Sequence, residues 1–127
     1  MKIKFWGSRG SIAAPGPETV IYGGNTTCVE VVSDSGQTSI IDCGTGIRNL
    51  GDRLIKEGRS LDFNLFMTHI HWDHLLGLPF FGPLFNPDCH LKVNGCRQCF
   101  AGLKRIFSSD YIDGAWPVRY EDLKARI

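Results

Sequence analysis

An α/β fold, with helices laid against a sheet, is what the sequence predicts, and three observations carry the prediction. β-Branched runs at 28–33 (CVEVVS) and 38–42 (TSIID) flank the turn-forming stretch DSGQ, which reads as a β-hairpin. Residues 47–57 (IRNLGDRLIKE) repeat apolar positions at helical spacing and put Ile47, Leu50, Leu54 and Ile55 on one face. A third apolar strand at 61–68 (LDFNLFMT) follows, so strand, helix and strand alternate between 38 and 68. With 127 residues, 43% of them apolar, the chain has material for one core and not for two, so residues 1–127 are read as a single domain.

The remaining elements follow the same logic. KIKFW at 2–6 alternates lysine with apolar residues and predicts a first strand, ended by Gly7. From Gly7 to Gly24 the density of glycine and proline predicts a long loop, a feature that compact domains usually keep for function. The helix at 47–57 has Thr45 as its expected N-cap and Gly58 as its stop. HLLGLPFFGPLF, from His74, predicts a short helix limited by Pro79 and Gly82. HLKVNG (90–95) predicts a strand, and FAGLKRIF (100–107) a short helix.

Composition excludes more than it assigns. Fourteen Lys and Arg against 13 Asp and Glu give a formal charge of +1, so no strong field draws the chain toward nucleic acid or an anionic membrane. No run approaches the ~20 apolar residues of a membrane span, and the start MKIKFWGSRG lacks a signal-peptide core, so a cytoplasmic location is expected. The five cysteines are an odd, scattered set that fits reduced thiols better than a disulfide framework.

The chemistry is concentrated in FMTHIHWDH, residues 66–74. In an extended segment residues two apart point the same way, so His69 and His71 can turn both imidazoles to one point. Asp73 and His74 lie where the chain bends away, and their side chains can serve a second ion beside the first. Zinc accepts imidazole nitrogen and carboxylate oxygen, and a catalytic site keeps a place for water. A lone histidine is ordinarily a surface or satisfied core residue, but this group sits at the C-terminal end of an expected buried strand, where α/β folds place their sites.

His69-Ile70-His71-Trp72-Asp73-His74 matches the HxHxDH motif of the metallo-β-lactamase superfamily, and IDCGTG (41–46) resembles the strand-end segment that precedes it there. KIKFWGSRGS, YGGNTTCVEV (22–31) and the LPFF segment resemble the branch that includes ribonuclease Z and cyclic-nucleotide phosphodiesterases. The resemblance implies the N-terminal half of a four-layer αββα sandwich. It also implies a site of two ions when complete, zinc first and manganese or iron as alternatives, with His69 and His71 on one ion and Asp73 and His74 on the other. Asp73 would orient the attacking water, and Asp42 would fix the ligand loop by hydrogen bonds without touching metal, a turn role being equally open to it. The implied activity is metal-dependent hydrolysis, most simply of a small-molecule or nucleotide phosphodiester by a metal-bound hydroxide. Thioester or lactam cleavage on the same fold, or a non-catalytic metal-binding fragment, are the alternatives.

Relatives complete such a site with ligands from a second half of the domain, and the chain reaches Ile127 before the motifs that supply them. Four donors shared by two ions give about two each, where catalytic zinc ordinarily has three plus water. A sheet covered on one side only would also present an apolar face larger than soluble monomers tolerate. The expectation is therefore self-association or a missing C-terminal half. His90 is read as structural or exposed.

Smaller signals remain. Cys96-Arg97-Gln98-Cys99, with Cys89 and His90 upstream, forms an unusual spacing for structural zinc, and a redox role would need the CxxC to open a helix in a thioredoxin-like unit. Ser8, Arg9, Ser11, Asn25 and Thr26 are candidates for the mouth of a site, with a polar surface loop as the simpler reading. Phe80, Phe81, Phe85 and Trp72 are expected to pack in the core, Trp72 with a second reading as pocket wall.

Overall fold

The computed structural model describes residues 1–108 and 118–127. One five-stranded sheet runs in the order β1 (Lys2–Gly7), β2 (Cys28–Val32), β3 (Thr38–Ile41), β4 (Asp62–Phe66), β5 (His90–Asn94). The first three strands are antiparallel neighbours, and β3, β4 and β5 are parallel. The chain is thus mixed α/β, as the alternation of elements predicts.

The hairpin between β2 and β3 turns at Gly36, which takes φ +85°, a conformation that favours glycine. The crossover from β3 to β4 is α1 (Gly46–Lys56), with Ile47, Leu50 and Leu54 fully buried. Gly58 just beyond it adopts φ +60° and stops the helix as expected. Ile55, placed on the same face by the periodicity, is instead 51% exposed. The buried stripe shifts to Gly51, where an added Cβ would stand 2.8 Å from the Phe81 ring.

Thr45 occupies the N-cap position but makes no capping bond. Its hydroxyl accepts from the Thr26 N–H (2.9 Å) and donates to Asn25 Oδ1 (3.1 Å), tying the helix start to the segment before β2.

Between β4 and β5 the expected short helix is replaced by three single-turn 3₁₀ segments, Trp72–His74, Leu78–Phe80 and Gly82–Phe85. Pro79 and Pro83 each open a segment, and two prolines four residues apart remove donors that an α-helix would need. Phe81 is buried edge-on against Phe63, with centroids 5.7 Å apart, whereas Phe80, Phe85 and Trp72 are exposed by 49%, 40% and 48%. The core expectation therefore holds for Phe81 alone of the four. The final helix, α2 (Arg97–Ile106), starts three residues earlier than the apolar pattern suggests, and it buries Cys99, Leu103 and Ile106.

Cross-strand register divides the sheet into two unlike faces. Ile40, Phe63, Leu65 and Leu91 lie on the face that forms one core with α1, α2 and the 3₁₀ segments. On that face Glu30, with its side chain 4% exposed, is held by Arg59 Nη1 at 2.7 Å and by the Trp6 indole N–H at 2.9 Å. The opposite face carries Ile3, Phe5, Val29, Val31, Ile41 and Phe66 in cross-strand register, and Ile3, Phe5 and Phe66 are 56%, 69% and 43% exposed.

Candidate functional site

The C-terminal ends of β1, β3, β4 and β5 and the start of β2 share one edge of the sheet, and the loops leaving that edge meet there. β3 ends in Asp42, which takes φ +58°, outside the range that most residues adopt, and is 1% exposed. The next residues clasp the histidine loop: Cys43 N–H donates to His74 O (2.8 Å) and Gly77 N–H to Cys43 O (2.9 Å). Gly44 is required by that approach, since a Cβ there would stand 2.1 Å from Asp73 O.

Asp42 anchors the loop through both carboxylate oxygens. Oδ1 accepts from the Thr68 N–H (2.8 Å), while Oδ2 accepts from the Thr68 hydroxyl (2.8 Å) and lies 2.8 Å from His74 Nδ1. A carboxylate only accepts, so His74 presents Nδ1–H to Asp42, and in the neutral ring Nε2 is the nitrogen that carries the lone pair. Thr68 has one hydroxyl proton and gives it to Asp42. Toward His69 Nδ1, 3.0 Å away, it can therefore only accept, and His69 likewise keeps Nε2 as a donor of electrons.

The three imidazoles cluster, His69 with its centroid 4.0 Å from that of His74 and 4.5 Å from that of His71. Asp73 Oδ2 lies 3.4 Å from His74 Nε2 and accepts the Ser11 N–H at 3.0 Å. Partial burial works to raise the Asp73 carboxyl, but the Ser11 and Asp73 backbone N–H groups, with His74 and His71 nearby, together hold it below its ordinary value.

All five residues singled out in the sequence, His69, His71, Asp73, His74 and Asp42, are thus in one place. Among the described residues, no three or more His, Cys, Asp or Glu side chains stand arranged to hold an ion as they are. The donor set fits a zinc-type ion in kind, three imidazoles and a carboxylate, two of the imidazoles with Nδ1 already engaged. Capturing an ion requires the rings to turn, and His71 is exposed and has room to do so.

One contributor went unassigned in the sequence, and a second was read there only as a candidate for the mouth. Thr68 bridges Asp42 and His69, and its position immediately before the motif was the available signal. Ser11 reaches Asp73 through its backbone from the glycine-rich loop, at φ +69°. Of the other mouth candidates, Thr26 is buried, and Arg9 bonds Ile12 O through Nε within its own loop. His90 is exposed and bridges to Arg126.

Comparisons with protein-family models, with curated proteins and with solved structures find no match to this chain. Fold and site together define a mixed α/β domain with an imidazole and carboxylate cluster at the C-terminal edge of its parallel strands. Among the described residues, no helix is long and apolar enough to cross a membrane.

Proposed function

We propose that the chain carries the histidine-bearing half of a metal-dependent hydrolase of the metallo-β-lactamase type, acting on phosphodiester bonds. The observation that supports this best is the polarity of the imidazoles: Asp42 and Thr68 engage Nδ1 of His74 and His69, which reserves their Nε2 atoms for an electrophile. A divalent ion bound there would supply Lewis acidity and a water of pKa ~7. His69, His71 and His74 offer nitrogen, and Asp73, held ionised by the Ser11 amide, positions the water. Fixed at Oδ2 by the Ser11 N–H, Asp73 would hold the attacking water beside the ion it helps to bind. The phosphodiester branch is favoured because KIKFWGSRGS and YGGNTTCVEV resemble it. The remaining ligands come from a second copy of the chain or from a further segment.

The test is elemental analysis of purified protein beside the His71→Ala variant, with matched chromogenic phosphodiester, thioester and lactam substrates. Zinc bound by the wild type and largely lost in the variant, with the phosphodiester cleaved fastest, is the expected result. Equal metal content in the two proteins would remove the reading, and metal without turnover of any substrate would reduce the chain to a metal-binding fragment.

A further inference from the structure

At the same sheet edge, just past the end of β5, Cys96 caps α2 and Cys99 lies in its first turn, on a helix that packs against Ile70 of the histidine loop. Their sulfurs are 3.3 Å apart, closer than the 3.5 Å between Cys43 Sγ and Met67 Sδ in the core. The two differ in access: Cys96 is the exposed N-cap residue of a ten-residue helix, and Cys99 is fully buried one turn on. The structure meets part of the sequence condition, since the CxxC opens a helix after a strand, although the fold around it is not shown to be thioredoxin-like.

The surroundings of the two sulfurs divide their chemistry. Backbone N–H of Cys99, followed by the Cys99 thiol itself and the N–H of Gln98, favours the Cys96 thiolate and draws that thiol below its ordinary value. Burial, with the hydrogen bond to Cys96, raises the Cys99 thiol, which also points at Met67 O at 3.7 Å. Cys28, Cys43 and Cys89 are buried and their thiols are pushed up by burial, that of Cys89 to about 11. Thiolate character and exposure coincide in Cys96 among the five.

We propose that Cys96 and Cys99 form a redox-active dithiol, a second functional site beside the histidine loop, which exchanges with disulfides of the glutathione class. The Cys96 thiolate attacks one sulfur of the incoming disulfide, forming a mixed disulfide and releasing the first glutathione thiolate, which takes up a proton from water. Cys99 then loses its proton and attacks Cys96 Sγ, which forms the Cys96–Cys99 bond and expels the second glutathione as a thiol. Two protein thiols are oxidised by two electrons, and one small-molecule disulfide is reduced to two thiols. The 3.3 Å separation has to close to the bonded distance of about 2.05 Å.

Reduced, chelator-treated protein is incubated with oxidised glutathione, quenched by alkylation and mapped by peptide mass spectrometry. The wild type is expected to lose two of its five alkylatable thiols, Cys96 and Cys99, joined to each other with no glutathione retained. Cys99→Ser should hold one glutathione on Cys96, and Cys96→Ser should take up none at Cys99. Glutathione that stays on Cys96 in the wild type, or thiols still alkylatable when a cysteine peptide is fully converted, would overturn the proposal. So would protection of the pair that appears only without chelator, since that marks a metal-holding pair. The wild-type measurement stands even if a variant fails to fold.

Discussion

Asp42 concentrates the most consequence in one side chain, because a buried carboxylate satisfies three donors on two loop residues. Replacing it with asparagine keeps an acceptor for Thr68 but confronts His74 Nδ1 with an amide. Metal affinity measured by competition with a chelating dye should fall about 10- to 100-fold with the fold retained. An unchanged affinity would mean that Asp42 only makes a turn. Asp73 carries a pH signature of the opposite kind. Its folded-state carboxyl lies below the ordinary 3.8, so its contribution is complete above that value and is lost as pH falls through the lowered folded value. Asp73→Asn should flatten this part of the acid limb in chemical denaturation run from pH 6 down to about pH 2. The ligand candidates were legible because histidine spacing behind a strand is a local pattern, while Asp42 was named through the resemblance of IDCGTG, with a turn role equally open. Ser11 was read only as a candidate for the mouth, and its bond to Asp73 was not legible, because it spans 62 positions and uses the backbone, which leaves no mark on residue type.

At the scale of elements, strands and the first helix were readable because their alternation and 3.6-residue periods are strong, and the connection at 74–85 was not. There the apolar run is continuous, and prolines decide the backbone where periodicity cannot. The Arg59–Glu30 pair was equally invisible, joining the end of the β3–β4 crossover to β2 across 29 positions. It matters because Glu30 is buried while Arg59 keeps 28% exposure, so losing the arginine strands a charge and the reverse change does not. Arg59→Ala should cost about 2–3 kcal/mol, below the 3–5 of a fully buried pair, since water can reach the vacated site. Glu30→Gln with Arg59→Ala together should cost less than Arg59→Ala alone, as read from urea midpoints. Equal losses would place the effect in packing rather than charge. Gly44→Ala should cost about 1–3 kcal/mol and loosen the histidine loop, because the atom in its way is backbone.

For the whole molecule, the decisive asymmetry is between the two faces of the sheet. Two helices and the 3₁₀ segments cover one, and on the other Ile3, Phe5, Val29, Val31, Ile41 and Phe66 form a contiguous apolar surface. Alternation along β1 would normally put polar residues outward, yet Lys2 and Lys4 lie in register with Val32 and Glu30 of the covered face, and Ile3 and Phe5 point away from it. An uncovered face that is apolar over β1–β3 and the end of β4, with Ser39, Asn64 and Lys92 interrupting it, is the pattern of a layer that takes a further cover, and burying such an apolar side chain gains about 1.5–3 kcal/mol. The same logic underlies the count of metal donors, for the layer that covers this face would also stand near the edge where the histidines gather. The isolated chain should therefore self-associate above 14.1 kDa by light scattering, and Phe5→Lys with Phe66→Lys should return it to a monomer with less binding of a hydrophobic dye. If the unaltered chain is a stable monomer that does not bind the dye, the face needs no cover, and the expectation of ligands from a second layer loses its structural support.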